Sequence, residues 1–489
     1  MFNKWRINKS VKEQKAKAVT GKLNSENIKN ILGDSNDVMI KDVFINNEKK
    51  FKVKAIGIDG LVDSQIVDAY ILKPLALDEI YKQVRSEQEL YNFIMQGSIY
   101  HLAQSDIDNV EKVIEEVLNG QTVIVFDSIE KAISFDAKSL PNRSIQEAES
   151  ESVMKGAKDS FIESLRTNTA LVRRKIKEPS LRFKNFQVGK TTKTPVNIVY
   201  LEGIADQDII DKLVNRIENL DINDLITPGN FEENIRENRF SLFPEVEYTE
   251  RVDKFCANLV DGKVGVLIDG LPIAYIVPGL FAMLFQAPED YSQKYIVASF
   301  TRIIRYFCAF ITVLIPGFYV AITSFHQEMI PTDLAISIIK SKEGVPFTTA
   351  IEVFGMLLAF EVLLEASLRL PKAIGATISI IGGLVIGEAA VSAKFISPAV
   401  VVIVAIAGIA GFVIPNQSLS NALRMCRFFL LFCGVFGGLV GISMGFTLLI
   451  YYLCTLESFG VPYMTPYASN NGSGMIEDTI VRKFSDSGE

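Results

Sequence analysis

The residues of this chain whose chemistry most needs a reason are carboxylates inside apolar runs. Thr349–Leu368 and Ala373–Val391 are each long enough to cross a bilayer, yet the first carries Glu352, Glu361 and Glu365 and the second carries Glu388. A carboxylate at membrane depth is costly unless it is paired, protonated or facing a wet cavity, so such acids face a bundle interior. Glu361 and Glu365 are four residues apart and Arg369 follows by another four. All three can share a helical face, with Glu365 paired to Arg369. Glu388 has no basic residue three or four positions before it, and its run holds Ser379, Gly382, Gly383 and Gly387, small groups that leave room for water or a neighbouring helix. A ring of such carboxylates, one per subunit, would favour cations by charge. The bland alternative places Glu388 at the membrane edge, hydrated or paired with Lys394. Glu388, Glu361 and Glu365 are therefore the candidate ion pathway.

Other chemistry is sparse. The only histidines are His101 and His326, and the five cysteines form no CxxC pair. A disulfide framework or metal site is not expected. Neither GxSxG nor HExxH occurs, so the chain reads as a non-enzyme without cofactor. Gly189-Lys190-Thr191-Thr192 looks like the end of a phosphate-binding loop, but Lys184 stands where the first glycine is required. That stretch reads as a polar turn. The basic cluster Arg173, Arg174, Lys175 and Lys177 lacks aromatic interleaving and reads as a solvated helix end, so no nucleic-acid partner is expected.

The elements that would position the acids follow from segregation of charge. Five runs are read as spans: Tyr306–Ile322 with Pro316 inside, Thr349–Leu368, Ala373–Val391, Phe395–Pro415, and Phe428–Leu456, which has twenty-nine residues and no charge. About 20 helical residues suffice for a bilayer core. Arg302 and Arg305 are expected at the headgroups on the side of the preceding domains, which the positive-inside rule makes the cytoplasm. Five spans then leave the carboxyl end outside.

Before the spans the pattern alternates between strand-like and helix-like. Phe51–Asp59 and Thr122–Asp127 read as strands and Ile107–Leu118 as an amphipathic helix. Leu181–Val188 with Val196–Leu201 reads as a hairpin, and Gln207–Leu220 as a helix capped by Asp206. Val153–Arg174 reads as a helix and Lys263–Val277 as a hairpin at the join. The first thirty residues hold eight Lys or Arg against Glu13 and Glu26 and no apolar stretch typical of a signal peptide. The fold class expected is an α/β cytoplasmic N-terminal region of two subdomains followed by an α-helical polytopic membrane domain. Its boundaries are a basic flexible tail (1–50), a first subdomain (51–145), a second (146–262), a hairpin and interfacial connector (263–302), a transmembrane domain (303–456) and a C-terminal tail (457–489).

Two further features bear on mechanism. His326, Gln327 and Glu328 form a polar knot beyond an apolar span, read either as a cap for the helix end or as part of a signalling element. Pro331–Lys342 follows as a short amphipathic helix. Gly437, Gly441 and Gly445 recur every four residues, a spacing that lets helix backbones approach closely.

The stretch Pro316–Phe347, PGFYVAITSFHQEMIPTDLAISIIKSKEGVPF, followed by FEVLLEASLRLPKAIGATISIIGGLVIGEAAVSAKFISP at Phe360–Pro398, resembles the A subunit of GerA-type spore germination receptors. VLIDGLPIAYIVP, RFSLFPEVEYTERVD at Arg239–Asp253, DGLVDSQ at Asp59–Gln65 and ESFGVPYMTPYAS at Glu457–Ser469 extend the resemblance over about residues 51–469. The resemblance implies a nutrient-sensing receptor in the spore inner membrane that triggers germination by releasing cations. Its partners would be a permease-like B subunit, a lipoprotein C subunit, membrane lipid and further copies of itself, forming a homo-oligomeric channel. With Pro346 and Phe347, which stand where the family often has Pro-Phe-Pro, the residues His326, Gln327, Glu328 and Pro331 noted above form a candidate coupling loop. The chain departs from the family pattern at Thr348, Glu388 and Ser392. Competing readings are an ion-coupled transporter using the intramembrane glutamates, a paralogue resembling stage V sporulation protein AF, and a scaffold that only couples sensor to effector.

Overall fold

A computed structural model describes residues 21–45, 52–99, 103–139, 151, 156–369, 387–467 and 479–482. Two compact units divide the chain: the first runs up to Arg239 and includes Val246–Pro278, and the second takes Phe240–Glu245 and everything from Gly279.

The first unit is built on two five-stranded sheets, antiparallel throughout. One contains β1 (Val38–Phe44), β2 (Lys52–Ile58), β3 (Gln104–Ile107), β4 (Thr122–Phe126) and β5 (Lys131–Phe135), in the order β1-β2-β4-β5-β3. The other contains β6 (Leu181–Val188), β7 (Thr194–Leu201), β8 (Glu247–Thr249), β9 (Val264–Ile268) and β10 (Ala274–Val277), in the order β6-β7-β9-β10-β8. Adding five to each strand number of the first order gives the second, so one topology is used twice. In each copy a helix connects the third strand to the fourth: α2 (Val110–Leu118) in the first and α5 (Val252–Val260) in the second. Helices α1 (Ser25–Leu32) and α3 (Leu165–Lys175) lead into the two copies, and α4 (Gln207–Glu218) belongs to the second.

Central strands have both faces covered, which is why β4 and β9 read as continuous apolar runs and are buried at every residue. Helix α2 buries Val110, Val113, Ile114, Val117 and Leu118, the 3.6-residue stripe expected of Ile107–Leu118. Asp206 caps α4 as expected, its Oδ1 accepting from the Asp208 N–H at 2.9 Å. Gly189 turns the β6–β7 hairpin with φ +93°, and the Lys190 ammonium pairs with Asp221 on the surface, so the lysine-bearing loop is a turn.

Three expectations need correction here. The segment taken as a tail contains α1 and β1, whose hydrophobic positions are too short a run to stand out beside the basic residues. The hairpin taken as a connector supplies β9 and β10 to the second sheet, and β9 lies against β7 in its interior. The helix expected over Val153–Arg174 begins only at Leu165, where Ser164 Oγ accepts from the Thr167 N–H. The basic cluster also dissolves. Arg173 is buried, donating through Nε to Asp37 at 2.9 Å and through Nη2 to its other oxygen at 3.0 Å, and so ties α3 to the segment before β1. Lys175 pairs with Asp159, and Lys177 donates to Asn119.

The second unit is helical. Its elements are α6 (Tyr295–Phe325), α7 (Thr332–Ser341), α8 (Thr349–Arg369), α9 (Pro398–Phe412) and α10 (Gln417–Thr455). Helices α6 and α10 are long and apolar enough to cross a membrane. Residues 387–392 are also helical; most of Ala373–Val391, with Ser379, Gly382 and Gly383, lies outside the described residues.

Helix α10 is not one rod. Gly438 has φ +57° and ψ −141°, a backbone region that glycine alone enters without strain. A Cβ on Gly445 would lie 2.9 Å from Leu430, although fifteen residues of straight helix would separate them by about 22 Å. The chain therefore reverses at Gly438, and the two limbs pack antiparallel, with Leu419, Leu423 and Leu430 in the same cluster as Leu453 and Leu456. The single span expected over Phe428–Leu456 is thus corrected to parts of two limbs.

The segment after α10 returns to the base of α6. Tyr463 accepts from the Phe281 N–H, Tyr467 and Tyr306 share a short hydroxyl contact, and the Arg482 N–H donates to Ser299.

Candidate functional site

Among the described residues of the helical unit, three buried junctions hold its paired carboxylates. The first lies at the base of α6. Asp290 is buried and accepts from Arg302 Nε at 2.8 Å and from Arg305 Nη1 at 2.8 Å. Arg305 also donates to the Phe285 carbonyl at 3.1 Å. Arg302 and Arg305 are therefore internal braces and not headgroup anchors, a correction whose signal was Asp290, twelve and fifteen residues upstream.

The second junction ties α8 to α10. Glu361 receives Arg424 Nη2 at 2.9 Å and Arg427 Nη2 at 2.5 Å, and the Arg427 side chain is 1% exposed. Two arginines one helical turn apart thus meet a single carboxylate. Neighbouring Glu365 pairs with Arg369 at 2.7 Å as its spacing predicts, but both side chains are largely exposed. The three acids of α8 therefore do not share one role.

The third junction joins the loop after α7, the first turn of α8 and the segment before α9. Glu352 is 2% exposed. Its Oε2 accepts the Ser397 backbone N–H at 2.8 Å, and its Oε1 faces Lys342 Nζ at 3.1 Å. Lys342 also donates to Thr349 Oγ1 at 2.6 Å. Tyr319 of α6 packs against Glu352 and Ser397, in a cluster with Val353 and Val400. The same loop touches the segment before α9 twice more: Phe347 and Phe395 have ring centroids 6.4 Å apart, and a Cβ on Gly344 would lie 2.9 Å from Lys394 Nζ. Sequence reasoning noted Glu352 without singling it out; its partner Lys342 is ten residues away across a loop, a separation that helical spacing rules do not reach.

Glu388 is exposed and, among the described residues, makes no ion pair with Lys394, whose ammonium lies at Gly344 instead. The proposed coupling residues separate into two places. His326 ends α6 and packs on Gly438, where a Cβ would meet its Cε1 at 3.0 Å. Gln327 donates back to the Thr323 carbonyl at 3.0 Å, and Glu328 and Pro331 are exposed. Pro346 and Phe347 belong to the third junction. No hydrogen bond or ring contact joins the two groups among the described residues.

The glycine stripe is also redistributed. Gly437 has nothing within 4 Å of a built Cβ, whereas a Cβ on Gly441 would lie 2.1 Å from the Cys433 carbonyl oxygen across the reversal. Gly445 faces Cys433 and Leu430 in the same way. A close backbone crossing with another helix is made by Gly317 of α6 and Gly434, each of which would bring a Cβ to within 3 Å of the other helix's backbone.

The sequence profile of the Bacillus/Clostridium GerA spore germination protein family matches residues 26–487. Among similar proteins, spore germination protein B1 of Bacillus subtilis (strain 168) is 35% identical over 94% of this chain and 94% of its own length. Spore germination protein KA of the same organism is 35% identical, over 92% of this chain and 82% of its own length. The uncharacterized membrane protein YfkQ, also from that strain, is 37% identical over 84% of this chain and 79% of its own. A crystal structure of the N-terminal domain of the A subunit of the Bacillus megaterium spore germinant receptor GerK3 aligns with 53% of this chain and 96% of its own, at 28% identity and a TM-score of 0.41.

Proposed function

The chain belongs to the GerA family of spore germination proteins, and from that premise we propose that it is the A-type subunit of a nutrient-responsive receptor whose copies assemble in the spore inner membrane into a cation-conducting channel. The partners are a permease-like subunit, a lipoprotein subunit and membrane lipid. One observation carries the conducting role. Glu352 and Glu361 are satisfied by cations of the same chain, while Glu388 remains exposed and unpaired with Lys394, free to face a lumen shared between copies. A carboxylate ring there selects cations by charge. The transporter reading loses support on the same observation, because Glu361 and Glu365 are engaged by arginine.

The fold also supports a topology. With crossings by α6, α8, the run Ala373–Val391 read from the sequence, α9 and the two limbs of α10, the exposed Arg369 falls on the side from which α6 starts. The positive-inside rule makes that side the cytoplasm. The reversal at Gly438 then brings the carboxyl end back to the cytoplasmic side, in place of the outer side that a single last span would give. Contacts of Tyr463, Tyr467 and Arg482 with residues at the base of α6 support this return.

The test is electrical. In planar bilayers with a KCl gradient, the purified oligomer should give a reversal potential near that of potassium, and Glu388→Gln should move it toward zero. An unchanged reversal potential in Glu388→Gln would remove that acid from the pore.

A further inference from the structure

The second junction carries more positive charge than its one carboxylate balances. Glu361 receives Arg424 at 2.9 Å on one oxygen and Arg427 at 2.5 Å on the other, so two guanidiniums share one negative charge. Among the described residues no second acid pairs with either arginine, and Glu365, one turn further along α8, is taken by Arg369. The stretch 370–386 that follows α8 contains no Asp or Glu, so it brings no acid to the junction. An unbalanced charge in an apolar setting is costly unless an anion from outside meets it. The Arg427 side chain is 1% exposed and that of Arg424 is 28% exposed, so the excess charge opens outward at Arg424.

What adjoins that opening is apolar. Phe354 and Glu361 are seven residues apart and share one face of α8, while Arg424, Phe428 and Phe432 recur every four residues along one face of α10. The two faces meet, because the Phe354 ring centroid lies 6.1 Å from that of Phe428 and 5.9 Å from that of Phe432. Phe354, Leu358, Val362 and Phe432 all remain exposed in the single chain. A seam thus runs between α8 and α10, apolar toward the reversal at Gly438 and basic toward the start of α10. With both helices crossing as read above, Arg424 stands fourteen residues before Gly438, about 21 Å of helix, in the cytoplasmic half of a core about 30 Å thick. An arginine at that depth extends its head group toward the lipid phosphates.

We propose that this seam binds one anionic phospholipid of the cytoplasmic leaflet, with an acyl chain along Phe354, Leu358 and Phe432 and the phosphate on Arg424. The single negative charge of the lipid balances the charge that Glu361 leaves over. A zwitterionic lipid fits less well because it brings its own cation. A second copy of the chain also fits less well, because the exposed acid nearest on α8, Glu365, already has its arginine. The inference rests on the reading of α8 and α10 as membrane crossings and does not require conduction.

The test uses the full-length chain in detergent, with phosphatidylglycerol, phosphatidylcholine and glycerol phosphate as probes. Native mass spectrometry should show one phosphatidylglycerol retained per wild-type chain, favoured over phosphatidylcholine by about fivefold. Equal retention of the two lipids would overturn the proposal, and this arm does not depend on a variant folding. Arg424→Gln removes the excess charge and leaves Glu361 its pair with Arg427, so this variant should fold. In it the preference should vanish, together with the rise in unfolding temperature that phosphatidylglycerol gives the wild type. An arginine with only a structural role predicts a different result, a fall in unfolding temperature that is equal with and without the lipid, and that result counts against the site. Glycerol phosphate should give neither effect; if it matches the lipid, the apolar seam plays no part and the proposal fails. Phosphatidylglycerol retained by Arg424→Gln while the oligomer dissociates would assign Arg424 to a second copy instead. A chain that is monodisperse without detergent would overturn the membrane reading and this inference together, whereas a detergent-dependent chain with no lipid preference overturns the inference alone.

Discussion

At the scale of residues, the acids of α8 separate by what surrounds them and not by their common spacing. Glu361 stands between Arg424 and the almost fully buried Arg427. Removing one partner of a buried pair strands the other charge, at a cost of about 3–5 kcal/mol. Glu361→Gln should therefore lower the thermal unfolding temperature of the detergent-purified chain strongly. Glu365→Gln breaks an exposed pair with Arg369 that is worth about 0.5 kcal/mol or less, and it should leave the unfolding temperature nearly unchanged. Equal effects would mean that Arg427 finds another partner. Glu365 was legible from sequence because its partner lies on its own helix. The partners of Glu361 and Glu352 come from other elements, and no local rule points to them. Cys256 shows the same limit in another form: its surroundings bury the thiol and push its pKa up to about 12, which its place in the sequence does not reveal.

At the scale of elements, hydrophobic period located most of the structure. Strands β2, β4, β6 and β7 fall within a residue or two of their expected limits because alternating or continuous apolar runs bounded by turns fit little else. The misses share a cause. The membership of β9 and β10 in the second sheet is set by long-range pairing, and the early start of the first sheet is masked by charge around short elements. The last apolar run misled because a glycine within it can either continue a helix or reverse it, and composition is the same in both cases. The reversal makes a prediction that an unbroken helix does not. Gly441→Leu must displace the Cys433 carbonyl of the opposing limb and should reduce the yield of monodisperse protein, with overpacking costing about 1–3 kcal/mol. Gly437→Leu points into open space and should be tolerated. Size-exclusion profiles of the two variants decide the matter: in a straight α10 both positions would be similar.

At the scale of the whole molecule, the first unit uses one five-stranded topology twice and the second is a set of helices whose outer faces carry large apolar side chains. Phe300, Phe307 and Phe310 on α6, Phe354 and Val362 on α8, and Phe429, Phe436 and Met444 on α10 are all exposed in the single chain. An apolar surface of that extent needs lipid or another copy to cover it. Glu388 is exposed and has no ion pair among the described residues, and a pore built between copies would account for both features. The most direct test is electron cryomicroscopy of the purified full-length chain in lipid nanodiscs. The account predicts a closed ring of identical subunits around a central lumen, with Glu388 facing that lumen. Single subunits, or a ring whose centre is filled by lipid with Glu388 turned away from it, would contradict the account.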